Sequence, residues 1–133
     1  MSASYVRHKI EQWCAEVSQV TGIPFYTTIN EEIHPTDNVW FTVEYLALFI
    51  EGMICKKDYV EQGAARLVFV SRPGIGWEEA ILAMEAVVPL IFEKVDPSRR
   101  LEIESYEPPQ EDSVGSADPQ YIVSTALNYV HRL

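Results

Sequence analysis

The chain has 133 residues, 47% of them apolar, with 20 acidic against 10 basic side chains and a formal net charge of -10. That length fits one domain, which can bury roughly two-thirds of the surface its unfolded chain exposes without help from a metal or disulfide. So acidic a balance argues against wrapping nucleic acid, which relies on clustered Lys and Arg, and against an anionic membrane surface.

The opening Met1 to Arg7 lacks the apolar core of a leader peptide, and the longest apolar run, Tyr45 to Ile50, is too short to span a bilayer. The expectation is a soluble protein made in a cytoplasm. Cys14 and Cys55 belong to no CxxC pair, so they read as small buried or half-buried thiols of a reducing compartment.

Residues 4 to 21 read as a helix, because Val6, Ile10, Trp13, Cys14 and Val17 fall on one face of a 3.6-residue period. Ser2 or Ser4 can cap its start and Gly22 can end it. Ile23 to Ile29 reads as a short strand with Pro24 near its start, and residues 31 to 38 as a turn or loop. Val39 to Ile50 is a long strand rich in aromatic and β-branched residues. Its Val39, Phe41, Val43 and Tyr45 alternate with Trp40, Thr42, Glu44 and Leu46. The second set is mixed, which suggests a face partly covered by another subunit, with Trp40 as the leading interface candidate.

Residues 51–63 read as a long hairpin loop, although Met53, Ile54, Tyr59 and Val60 are apolar. Ala64 to Ser71 returns as a strand, and Arg72 to Gly76 makes a sharp connection. Trp77 to Phe92 follows the helical period, with Glu78 and Glu79 in the first turn, where the helix dipole favours anions. Pro89 lies inside it and predicts a kink or an earlier end. Leu101 to Tyr106 alternates as a half-buried strand. Residues 107–120, rich in proline and carboxylates, read as a mobile acidic loop, and Tyr121 to Val130 as a closing strand whose Tyr121, Val123, Thr125, Leu127 and Tyr129 share one face. The expected fold is a single α+β domain over 1–133, with a largely antiparallel sheet of about five strands and two helices packed against it.

Convergent chemistry is hard to find. His8, His34 and His131 are scattered, and His34 with Asp37 in one loop is a thin start for a metal site. Pro73-Gly74-Ile75-Gly76 before a helix suggests a phosphate cradle, but Trp77-Glu78-Glu79 follows and the carboxylates would repel phosphate. Glu102 and Glu104 should share a solvated sheet face. Trp13 and Trp77 fall on core stripes. The sequence thus names no catalytic residue, no metal ligand set and no cofactor.

Several runs together resemble the tail terminator (tail completion) proteins of long-tailed, lambda-like bacteriophages. Gly22-Ile23-Pro24-Phe25-Tyr26 is followed by Asn38-Val39-Trp40-Phe41-Thr42-Val43, then by Gly63-Ala64-Ala65-Arg66-Leu67-Val68-Phe69-Val70 leading through a glycine-containing turn into an amphipathic helix. Pro108-Pro109-Gln110-Glu111-Asp112 and a terminal strand close the pattern. The resemblance implies a structural virion protein, not an enzyme, assembled in the host cytoplasm. Its subunits would form a closed ring, hexameric in the family. The ring would cap the tail tube, end its polymerisation and present a surface to the head–tail connector or neck. DNA would pass through without specific binding. On that view Met53, Ile54, Tyr59 and Val60, with Trp40, are subunit or tube contacts, and Glu107, Glu111, Asp112 and Asp118 face the lumen, where like charge would let DNA slide. The competing readings are another phage neck, connector or tail-tube subunit, and a small cytosolic ligand-binding domain or enzyme using the Arg72 to Trp77 turn.

Overall fold

The computed structural model describes residues 4–27, 38–52, 59–72, 77–114 and 120–132, of which 46–52, 59–60, 112–114 and 120 by backbone alone. The first helix, α1 (Ser4–Thr21), forms where its apolar stripe predicts, and Val6, Ile10, Trp13, Cys14 and Val17 are all buried. Gly22 ends it in the left-handed region at φ 77°, a conformation that glycine adopts without a Cβ penalty. Its N–H donates to the Ser18 carbonyl at 2.8 Å, and the Ser18 hydroxyl donates to the Ile23 carbonyl at 2.6 Å.

The strands are β1 (Val39–Gly52), β2 (Tyr59–Ser71), β3 (Leu101–Tyr106), β4 (Gln110–Val114) and β5 (Gln120–Arg132), and the second helix is α2 (Trp77–Phe92). The sheet is antiparallel throughout, in the order β1-β2-β5-β3, with β4 also on β5. β3 and β4 lie end to end along one side of β5. The Glu107 N–H bridges the gap by donating to the Ala126 carbonyl at 2.9 Å, and the Thr125 hydroxyl donates to the Glu107 carbonyl at 2.6 Å. Pro108 and Pro109, with no N–H to give, fall in the break at the sheet edge, where proline is tolerated.

Alternation assigns the two faces. Phe41, Phe69 and Val123 form one cross-strand row, then Val43, Leu67 and Thr125, then Tyr45, Ala65 and Leu127. These residues join the buried stripes of α1 and α2 in a single core. Phe41 and Phe69 stack at 5.2 Å there. Each fully buried Leu, Ile or Phe contributes about 1.5–3 kcal/mol by leaving water. The opposite face carries Trp40, Val70 and Ile122, then Thr42, Val68 and Ser124, then Glu44, Arg66 and Ala126. Among the described residues, no helix packs on it.

Three expectations change. The strand expected at Ile23 to Ile29 reduces, over its described residues, to one parallel bridge between Phe25 and Phe41. Phe41 N–H donates to the Pro24 carbonyl and Tyr26 N–H to the Phe41 carbonyl, each at 3.0 Å, while Pro24 itself can donate nothing. The hairpin loop expected over 51–63 is shorter, because Gly52 pairs with Tyr59 and the ladder continues from there. The loop expected over 107–120 contains β4, with Gln110 to Val114 paired to Ser124 to Gln120. α2, for its part, continues through Pro89 to Phe92.

Candidate functional site

The densest group of polar side chains lies where β2, β5 and β3 end together. Glu61, His131 and Leu101 are cross-strand neighbours, and the first two are 3% and 1% exposed. Their strand positions point them to the helix side, so burial follows from register rather than from side-chain preference. The Tyr129 hydroxyl donates to Glu61 Oε1 at 2.9 Å, and His131 Nδ1 stands 3.7 Å from Glu61 Oε2. Neither imidazole nitrogen has a hydrogen-bond partner among the described residues. Tyr5 of α1 stacks on the imidazole at 5.4 Å.

Tyr5 also links this group to the turn after α2. Its hydroxyl donates to Asp96 Oδ2 at 2.6 Å, and the Ser98 and Leu101 N–H groups donate to the same carboxylate at 3.1 and 3.2 Å. Burial pushes the Asp96 carboxyl up, but the hydrogen bonds from Tyr5, the Ser98 hydroxyl and these two N–H groups outweigh it and bring its pKa down to about 2. Lys9 Nζ stands 3.9 Å away. A carboxylate this well supplied with donors fixes a turn, and the Ser98 hydroxyl, 2.9 Å from Oδ1, is one of those donors.

Of the residues singled out as subunit or tube contacts, Trp40, Tyr59 and Val60 have described positions. Trp40 is 7% exposed and meets Tyr26 edge-on at 5.8 Å, so its ring is packed within the chain instead of presented on the surface. Tyr59 and Val60 lie in β2, paired with Gly52 and Glu51, while Met53 and Ile54 fall outside the described residues. Glu107 and Glu111 are exposed, and Asp112 pairs with Ile122 in β4. Asp118, His34, Asp37, Cys55 and the glycine turn at 73–76 fall outside the described residues. Cys14 is buried, and burial, then the Glu11 charge, pushes its thiol far above its ordinary range, so it is an inert core residue. Glu102 is half exposed and meets Arg132 at 3.3 Å. Among the described residues no three His, Cys, Asp or Glu side chains gather as a metal site.

The surface also offers an apolar strip. Leu82, Phe92 and Tyr106 are 51%, 36% and 56% exposed. Phe92 and Tyr106 meet edge to face at 5.4 Å. Beside them a groove of about 240 Å³ runs between α2 and the β3–β4 corner, floored by Met84, Val88 and Thr125 and walled by Glu85, Pro89, Tyr106 and Pro109. That is less than the roughly 300–1,000 Å³ of small-molecule pockets. The periodicity of α2 identified its inner face, and its apolar outer face was legible in the same residues. No helix among the described residues is long and apolar enough to cross a membrane. No protein-family model matches the chain, and no curated protein is significantly similar to it.

Proposed function

We propose that this protein is a structural subunit of a phage tail, assembling as a ring that caps the tail tube, stops its growth and presents a surface to the neck. The class comes from the sequence resemblance to tail terminators. The supporting observation in the fold is the exposed apolar stripe of α2 with Tyr106 beside it, a surface suited to protein contact. The groove along it is too small and too apolar for convergent polar recognition, and the buried polar residues at the other end of the sheet are closed to solvent.

Acidic side chains such as Glu107 and Glu111 stand exposed on the β3–β4 side, as a lumen that repels DNA requires. The experiment is twofold. Light scattering after size exclusion, across a wide concentration range, should give a ring mass, hexameric on the resemblance, with dissociation on dilution. Tail-tube protein polymerised with and without this chain should give shorter tubes of defined length when it is present. A monomer at every concentration, together with tubes of unchanged length, would reject the reading.

A further inference from the structure

α2 is apolar almost all round and contains no Lys or Arg; its charged residues are Glu78, Glu79 and Glu85. A helix of that composition is ordinarily covered on every side. Here one side meets the sheet and another meets α1, while Leu82, Pro89 and Phe92 remain outward on one stripe. Glu104, exposed on β3, adds a further negative charge near Tyr106.

The complement to this surface is carried by the chain itself. The turn that follows α2 exposes Val95 to 74%. Lys94 precedes it, and Arg99 and Arg100 follow. Lys94 is bound to Glu16 at 2.7 Å and Arg100 lies over the Tyr5 ring at 4.6 Å. Arg99 makes no ion pair among the described residues. It sits in the left-handed region at φ 58°, unusual for a side chain of its size. Its N–H donates to the Asp96 carbonyl at 2.9 Å, and the Asp96 carboxylate pins the rest of the turn. The turn is therefore held ready, so that binding through it costs little ordering.

We propose that the outer stripe of α2, with the groove at Tyr106 and Pro109, docks a second copy of this chain, which seats Val95 in the groove and sets Arg99 against Glu85. The inference rests on the assembly reading above and names the surface that would serve it. In a ring each copy would give its Val95 turn to one neighbour and its groove to the other, a heterologous contact, whereas a reciprocal exchange would stop at a twofold dimer, and the sedimentation mass separates the two.

Sedimentation of the full chain from about 1 µM to about 1 mM tests it. Val95→Asp and Leu82→Asp should each raise the self-association Kd by about tenfold or more, with the thermal midpoint of the dilute protein unchanged because both side chains are exposed. Arg99→Glu and Glu85→Arg should each weaken association, and the double variant should recover to within about threefold of wild type. If wild type associates and all four single variants associate equally well, the docking surface is wrong and the assembly reading stands. Wild type that stays monomeric throughout and fails to decorate tube ends overturns both.

Discussion

Replacing Asp96 with asparagine removes one charge and one acceptor oxygen from a buried carboxylate on which the turn after α2 relies. The carboxylate receives the Tyr5 hydroxyl and the Leu101 N–H on Oδ2 and the Ser98 N–H on Oδ1. The Ser98 hydroxyl reaches both oxygens, at 2.9 and 3.0 Å. An amide can serve one side only. With its oxygen toward Tyr5 and Leu101, its NH2 group faces the Ser98 N–H; turned over, it faces the Leu101 N–H. The first orientation leaves the part-buried Ser98 N–H without an acceptor and the second the buried Leu101 N–H, at a cost of about 1–3 kcal/mol that is lower for Ser98. The surviving bonds also lose their charge assistance, worth about 1 kcal/mol more. The expected loss is therefore about 2–4 kcal/mol.

The same interactions can be read from the proton. The Asp96 pKa is brought down to about 2, because the hydrogen bonds outweigh the upward push of burial. A depressed carboxylate contributes stability that is present above its unfolded pKa and is lost as pH falls through the folded one, here about 2 kcal/mol. This is a second view of one effect and is not added to the first. Urea unfolding at neutral pH measures the difference directly, and a thermal midpoint should drop by roughly 10 °C. The gap between wild type and Asp96→Asn should be full above about pH 5 and narrow as pH falls toward 2. A gap under about 0.5 kcal/mol at neutral pH, or one that stays constant into acid, would show that the turn does not depend on the ionised carboxylate.

Other substitutions probe the core, the second helix and the buried pair. Glu61→Ala should cost about 2–4 kcal/mol by opening a void and removing the acceptor of the Tyr129 hydroxyl, whereas Glu61→Gln, which still accepts, should cost less than half of that in the same urea titration. Leu67→Ala, at the centre of the sheet and fully buried, should cost about 2–5 kcal/mol, while exposed Leu82→Ala measured on dilute protein should stay within about 0.5 kcal/mol of wild type. Pro89→Ala should stabilise by about 1 kcal/mol and raise helical circular dichroism slightly, because it restores the N–H that the Glu85 carbonyl lacks inside α2.

The helices were legible to the residue because the signal that makes a helix is local. The stripe of α1 needs only its own spacing to specify which side is buried, and Gly22 supplies the stop. Long strands were legible in the same way through Phe41, Val43, Leu67 and Phe69. β4 was not. Its Gln110-Glu111-Asp112-Ser113 run has no apolar alternation and follows two prolines, so composition says loop. It becomes a strand because β5 is long enough to offer backbone partners at Gln120 to Ser124 after β3 has used Leu127 to His131. That cause lies in another element, and no reading of residues 107–120 alone contains it.

The buried pair lies beyond the expected strand ends, although the alternation that places it is in the sequence. Tyr121, Val123, Thr125, Leu127 and Tyr129 were recognised as one face, and the next member of that series is His131. Running the other way from Phe69 and Leu67 through Ala65 and Gly63, the next inward position is Glu61. Each residue is polar and lies outside the strand bounds expected from the sequence, Glu61 within residues 51–63 and His131 just past Val130. Extended by one step, both series place an ionisable side chain on the core side, and the antiparallel register then sets them opposite one another. Polarity alone would have rejected either position. Glu61 is satisfied by the Tyr129 hydroxyl, and His131 lies 3.7 Å from its carboxylate under the Tyr5 ring, so the two are buried side by side. Strand alternation is therefore better followed past the first polar residue whenever a neighbouring strand offers it a partner.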